Sequence, residues 1–79
     1  MNVRLKVIGP NQTEVCVEGK CLFFSYETLV AALIGGKYYR ADPKTVEKWS
    51  KTTAKHVNSW CPSNAYNVTH RELEIIANG

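Results

Sequence analysis

The sequence predicts an α+β domain: a four- to five-stranded, mainly antiparallel sheet packed against a helix over about residues 50–60, with a short C-terminal helix over about 69–77. Three observations predict it. The first half of the chain alternates apolar and polar side chains between glycine-bearing turns. The apolar residues from Val46 to Trp60 then recur at helical spacing. Last, Thr69 and Glu72 form a T-x-x-E capping box ahead of Leu73 and Ile76.

The elements follow in order. Residues 2–8 set Val3, Leu5 and Val7 against Arg4 and Lys6, which is the pattern of a half-buried strand. Gly9, Pro10 and Asn11 turn the chain. Residues 13–18 alternate again. Gly19 and Lys20 fit a two-residue hairpin loop, with glycine supplying a positive φ. The return strand, 21–26, would place Leu22, Phe24 and Tyr26 on the face of Val15 and Val17. Residues 26–34 read either as a short helix capped by Ser25 or as a strand entering a Gly35 and Gly36 hairpin. The strand reading is favoured, because a continuous apolar run suits a strand buried on both faces.

Asp42 and Pro43 then mark a helix start. Val46, Trp49, Thr53, Val57 and Trp60 fall within about 80° of one another on a helix wheel. Lys44, Lys48, Lys51 and Lys55 fall within about 60° on the other side. Ser50 is a second N-cap signal, so the helix starts at 43 or at 50, and the full lysine stripe needs the longer version. Leu73 and Ile76 would dock the last helix inward, and Asn78 and Gly79 end it.

Seventy-nine residues make a single domain. A chain of this size buries only about 60–65% of its unfolded surface, which leaves little room for a deep substrate cleft. Ten Lys and Arg against seven Asp and Glu give a net charge of +3. That charge permits an anionic partner without demanding one. No apolar run approaches the ~20 residues of a membrane span, and the alternating N-terminus does not read as a signal peptide. The expected setting is therefore the cytoplasm, with Cys16, Cys21 and Cys61 as reduced thiols.

Catalytic and metal chemistry find few residues. Cys16-x4-Cys21 and His56-x4-Cys61 would have to combine into one zinc site. With the loop at Gly19 and Lys20, however, Cys16 and Cys21 are diagonal neighbours about 7 Å apart, which argues against both a shared metal and a disulfide. A small zinc-binding domain is a minor alternative, and no cofactor is expected. His56 reads as a histidine bonded to backbone or hydroxyl. No nucleophile elbow, phosphate loop or paired carboxylates are present.

The partner-binding residues expected from the pattern are Lys44, Lys48, Lys51, Lys55, Arg40 and Tyr39. The lysines could track an anionic surface, and Tyr39 could supply a stacking ring. A solvated helix face is the competing explanation for the lysines.

Three segments carry a resemblance: FSYETLVA at 24–31, GKYY at 36–39 and KWSKTTAKHVNSW at 48–60. Over roughly residues 20–61 the chain resembles a family of small bacteriophage proteins of unknown function, with an SYxTxVA strand, a GKxY strand and a KWSxTTxKHxNxW helix start. The resemblance implies that 26–34 is a strand and that Ser50 caps the helix. It also implies a small phage-type accessory protein, similar in size and plainness to inhibitors that bind and block host enzymes. The expected function is accordingly a non-enzymatic binder that inhibits or modulates a host protein, in the manner of an anti-defence or anti-CRISPR-like inhibitor. Nucleic-acid binding through the basic helix face is the alternative. No membrane partner is expected, and the sequence leaves monomer and homodimer open.

Overall fold

A computed structural model describes residues 3–78. Residue 2 at the start of the first expected strand and Gly79 at the end of the last helix lie outside the described residues. The chain forms one six-stranded sheet in sequence order, β1 (Val3–Gly9), β2 (Gln12–Val17), β3 (Lys20–Ser25), β4 (Thr28–Ile34), β5 (Lys37–Ala41) and β6 (Tyr66–Val68). The first five strands are antiparallel neighbours, and β6 joins β5 in parallel. A 3-10 turn, Pro43–Thr45, and the helices α1 (Lys51–Trp60) and α2 (His70–Asn78) complete the fold. The α+β class stands as expected, with one strand more than the sequence predicts. Residues 66–68 are too few to read as a strand alone and form one beside β5, which offers a parallel ladder.

The segment 26–34 is a strand, as favoured. Gly35 and Gly36 turn it into β5 with φ of 60° and 78°, the left-handed pair of a type I′ hairpin. The hairpin between β2 and β3 differs from expectation by one residue. Its loop is Glu18 and Gly19, at φ 46° and 80°, rather than Gly19 and Lys20. Glutamate rarely accepts a left-handed φ, so the sequence points to the glycine as the first loop residue. The fold instead uses that glycine as the second.

The two helices lie on opposite faces of the sheet. Phe23, Val30, Ala31, Val57 and Cys61 form one buried cluster beneath α1, joined by Tyr38 and Trp60. Ala32, Ala41, Val46 and Leu73 form the other beneath α2, joined by Leu22, Leu29, Tyr39 and Val68. Adjacent residues Ala31 and Ala32 serve different clusters, as strand geometry requires. The ladder from Phe23 and Ala31 to Phe24 and Leu29 skips Val30. That bulge sets Val30 and Ala31 together under α1. Phe23 is fully buried on the α1 side, while Leu22 and Phe24 face the α2 side and Tyr26, expected on their face, sits in a turn at φ 59°.

Both helix-start signals are used. Asp42 caps the 3-10 turn and Ser50 caps α1, its hydroxyl accepting from the Thr53 N–H at 3.1 Å. Between them Lys48 takes φ 64°, which breaks any continuous helix from 43. The T-x-x-E box forms reciprocally: Glu72 N–H donates to Thr69 Oγ1 at 3.1 Å, and Thr69 N–H donates to Glu72 Oε1 at 3.0 Å. Leu73 is fully buried as expected; Ala77 joins it, with Ile76 half-buried.

Six strands at about 4.8 Å spacing span about 24 Å, whereas one helix is only about 10 Å wide. A single helix per face therefore leaves strands bare. α1 sits on β3 and α2 on β4 and β5, and β1 at the edge of the sheet is left bare. Its side chains from Val3 to Ile8 are exposed on both faces.

Candidate functional site

The basic residues do not form the single stripe that a helix from 43 would make. Lys51 and Lys55 stand one turn apart on α1, both exposed. Asn58 lies one turn further, and its Oδ1 accepts from Arg40 Nη1 at 3.3 Å. Arg40 thus extends the line of Lys51 and Lys55. Lys48 precedes the helix cap, at the mouth of a cavity described below. Lys44 sits in the 3-10 turn, outside α1. Tyr39 neighbours Arg40 in sequence but points to the opposite face, where its ring lies 5.6 Å from that of Tyr66. The expected grouping of Tyr39 and Lys44 with the α1 lysines is therefore corrected: alternation along β5 separates Tyr39, and the break at Lys48 separates Lys44.

At the N-terminal end of α1, side chains from three segments enclose a cavity of about 380 Å³. Val30 and Val46 supply apolar lining. Ser25, Thr28, Ser50 and Thr53 supply hydroxyls, and Tyr26, Glu47 and Lys48 complete it. Ser25 is 1% exposed. Its Oγ lies 2.8 Å from His56 Nδ1 and donates to Thr53 Oγ1 at 3.4 Å, and Thr53 in turn meets Ser50 Oγ at 3.1 Å. Sequence reasoning weighed Ser25 only as a helix cap. Nothing local marks it, because its partner lies on an element 31 residues away. The histidine does bond to a hydroxyl, as its position suggested. A serine and a histidine at this distance meet the first requirement of a nucleophile and base. Among the described residues, however, no carboxylate pairs with His56, and the hydroxyl is committed to the chain of bonds that ties β3 to α1. The arrangement reads as a polar core link.

The cysteines overturn their expectation. Because the loop is Glu18 and Gly19, Cys16 stands directly opposite Cys21, not diagonal to it. Their Cα atoms are 4.0 Å apart and the pair is a disulfide. Directly opposed residues of a non-hydrogen-bonded pair approach closely, which is what the bridge needs. The bond removes two members of the Cys3His set that a zinc site required. Cys61 stays free, and burial pushes its thiol up to about 11, with the charge of Arg40 pulling the other way.

The remaining exposed feature is the bare strand. Val3 is 56% exposed, Leu5 67% and Val7 69%. They stand in register with Val17, Val15 and Thr13 of β2 and so share one face. On the other face of β1 stand Arg4 and Lys6, both exposed, and among the described residues neither belongs to an ion pair. Apolar side chains exposed in a continuous row mark an interaction surface more often than scattered ones do. The alternation was legible in the sequence, but the half-buried strand it predicts is instead exposed on both faces from Val3 to Ile8.

Together these features define a small α+β domain with one helix on each face of its sheet and an open strand at the edge. By sequence the chain belongs to a family of unknown function, DUF8033, whose profile matches residues 3–77. The chain matches no curated protein and no solved structure. Among the described residues no helix is long and apolar enough to cross a membrane.

Proposed function

We propose that this protein is a non-enzymatic binder, a phage-type accessory protein that docks on a host protein and inhibits or modulates it by occlusion, as an anti-defence inhibitor does. The observation that carries the reading is the exposed row of Val3, Leu5 and Val7 on an edge strand whose outer side has no neighbour among the described residues. A protein surface can cover apolar side chains and complete a strand ladder, whereas nucleic acid presents mainly phosphate and sugar. The polar core link at Ser25 and His56, with no carboxylate behind the histidine among the described residues, gives catalysis no comparable support.

The test is capture from a nuclease-treated host lysate by the immobilised protein, with mass spectrometry of what is retained. The expected result is one host protein retained in stoichiometric amount, and its loss when Val3, Leu5 and Val7 are all changed to serine. Retention of nucleic acid alone from an untreated lysate contradicts the reading.

A second reading, nucleic-acid binding, is favoured by the line of Lys51, Lys55 and Arg40 along α1. Three phosphate contacts would give a salt slope of about −3, so affinity would fall roughly 40-fold between about 50 and 200 mM salt. Lys51→Ala with Lys55→Ala would abolish most of it. Absence of a mobility shift with duplex and single strands at low salt ends this reading.

A further inference from the structure

We infer that β1 is a strand-addition site, built for an extended segment of a partner protein in which acidic and apolar residues alternate. The inference rests on the binder reading and names the chemistry of what is bound.

The backbone comes first. β1 is the terminal strand of the sheet, with β2 as its only neighbour among the described residues. The two-residue loop at Glu18 and Gly19 fixes the phase of the ladder. Val17 and Lys20 flank that loop and form a hydrogen-bonded pair, and the pattern then alternates across β2. Arg4 and Lys6 therefore exchange backbone bonds with Cys16 and Glu14. The N–H and C=O groups of Val3, Leu5 and Val7 are left facing the open edge. An added strand can bond to all three before the irregularity between Val7 and Gly9 ends the ladder.

The side chains then select the strand. Residues directly opposite across a ladder place their Cβ atoms about 4.5–5.5 Å apart, on the same face. A partner residue opposite Val3, Leu5 or Val7 meets an apolar, exposed neighbour. One opposite Arg4 or Lys6 meets a cation with no ion pair among the described residues. An acidic and apolar alternation satisfies both faces at once, and opposite charges across a ladder are favourable where like charges are not.

The same charges disfavour pairing with a second copy of this chain in the three central registers. Two-fold antiparallel pairing of β1 with itself centred on Leu5 sets Arg4 against Lys6 of the other copy, twice. Centring on Arg4 or on Lys6 sets that cation against itself. Edge-strand cations are a common device against self-pairing. Here they discourage the identical strand and favour an acidic one.

The probe is an acetylated, amidated heptapeptide alternating valine and glutamate. A valine and lysine peptide of the same pattern is the comparison. Binding is followed by fluorescence anisotropy, and backbone hydrogen exchange locates it. The expected result is saturable binding of the glutamate peptide, at least tenfold tighter than the lysine peptide. The amides of Val3, Leu5 and Val7 should slow their exchange on binding. Arg4→Glu combined with Lys6→Glu should reverse the order of the two peptides; because Lys6 stands opposite Glu14, this variant should unfold at a somewhat lower temperature, whereas Arg4→Glu alone should weaken the preference for the glutamate peptide with thermal unfolding nearly unchanged. Equal affinities, no reversal, no binding or protection elsewhere would overturn the proposal. So would sedimentation as a dimer that the charge-reversed variant abolishes.

The charge-reversed variant also separates the two levels of the reading. A host protein captured equally well by wild type and by the charge-reversed variant leaves the binder reading standing and refutes this site. Peptide binding that passes every test while no host protein is retained refutes the binder reading and keeps the site.

Discussion

The indole Nε1 of Trp60 donates to Glu14 Oε1 at 2.8 Å, while its ring stacks on Phe23 with centroids 5.1 Å apart. One side chain at the end of α1 thereby reaches β2, β3 and, through an edge contact with Tyr38, β5. Trp60→Phe keeps the stack and loses the bond to a carboxylate, so it should cost about 1–2 kcal/mol in urea unfolding. Trp60→Ala should cost more, about 3 kcal/mol, since a large, partly buried ring is lost as well. A Trp60→Phe variant as stable as the wild type would show that the bond to Glu14 contributes nothing beyond packing.

Ser25 and His56 form the second link between sheet and helix. Ser25→Ala leaves His56 Nδ1 without its partner in a partly buried site, so about 1–2 kcal/mol of stability should be lost. Retention of the host partner by the immobilised variant should be unchanged. A variant that folds with wild-type stability but retains nothing would relocate function to the cavity.

The disulfide between Cys16 and Cys21 closes a short loop of sequence separation 5. The chain-entropy argument gives such a loop about 2 kcal/mol, so Cys16→Ser with Cys21→Ser should lower stability by about that amount. Thiol titration should find no reactive group in the native protein and one after denaturation without reductant. The one is Cys61, which is buried in the native protein and whose thiol burial pushes up to about 11. Three thiols in the denatured, unreduced protein would contradict the bridge.

Acid should loosen α2 first. The backbone N–H of Thr69, and then its side chain, hold the Glu72 carboxyl below its ordinary value of 4.5. A lowered pKa in the folded state means that the unfolded chain binds the proton more readily, so stability falls as pH drops through the carboxylate range. The contribution is complete above 4.5 and lost below the folded value. Glu72→Gln should flatten this part of the pH dependence of unfolding. An unchanged profile would show that the capping box is not what titrates.

Much of the fold was legible because strand alternation and cap chemistry are local signals. Thr69 with Glu72, Ser50 with Thr53, and Gly35 with Gly36 each act within a few residues. What failed was set by distant partners. Glu18 accepts a left-handed φ because the register across β2 and β3 demands it, and that slip of one residue turned a diagonal cysteine pair into an opposed one. β6 exists only beside β5. Ser25 becomes a core link only when α1 brings His56 to it. Tyr39 and Arg40 were grouped by proximity in sequence, and the pleat of β5 sent them to opposite faces. The row of Val3, Leu5 and Val7 was visible from the start, but its exposure follows from the width of the sheet against one helix, which no local pattern encodes.

The central claim is that β1 is where a partner protein docks. Backbone hydrogen exchange on the free protein and on its complex with the captured host partner tests it most directly. The account predicts that the amides of Val3, Leu5 and Val7 exchange freely alone and are strongly slowed in the complex. Slowing confined to α1 around Lys51 and Lys55, with β1 unchanged, would contradict it.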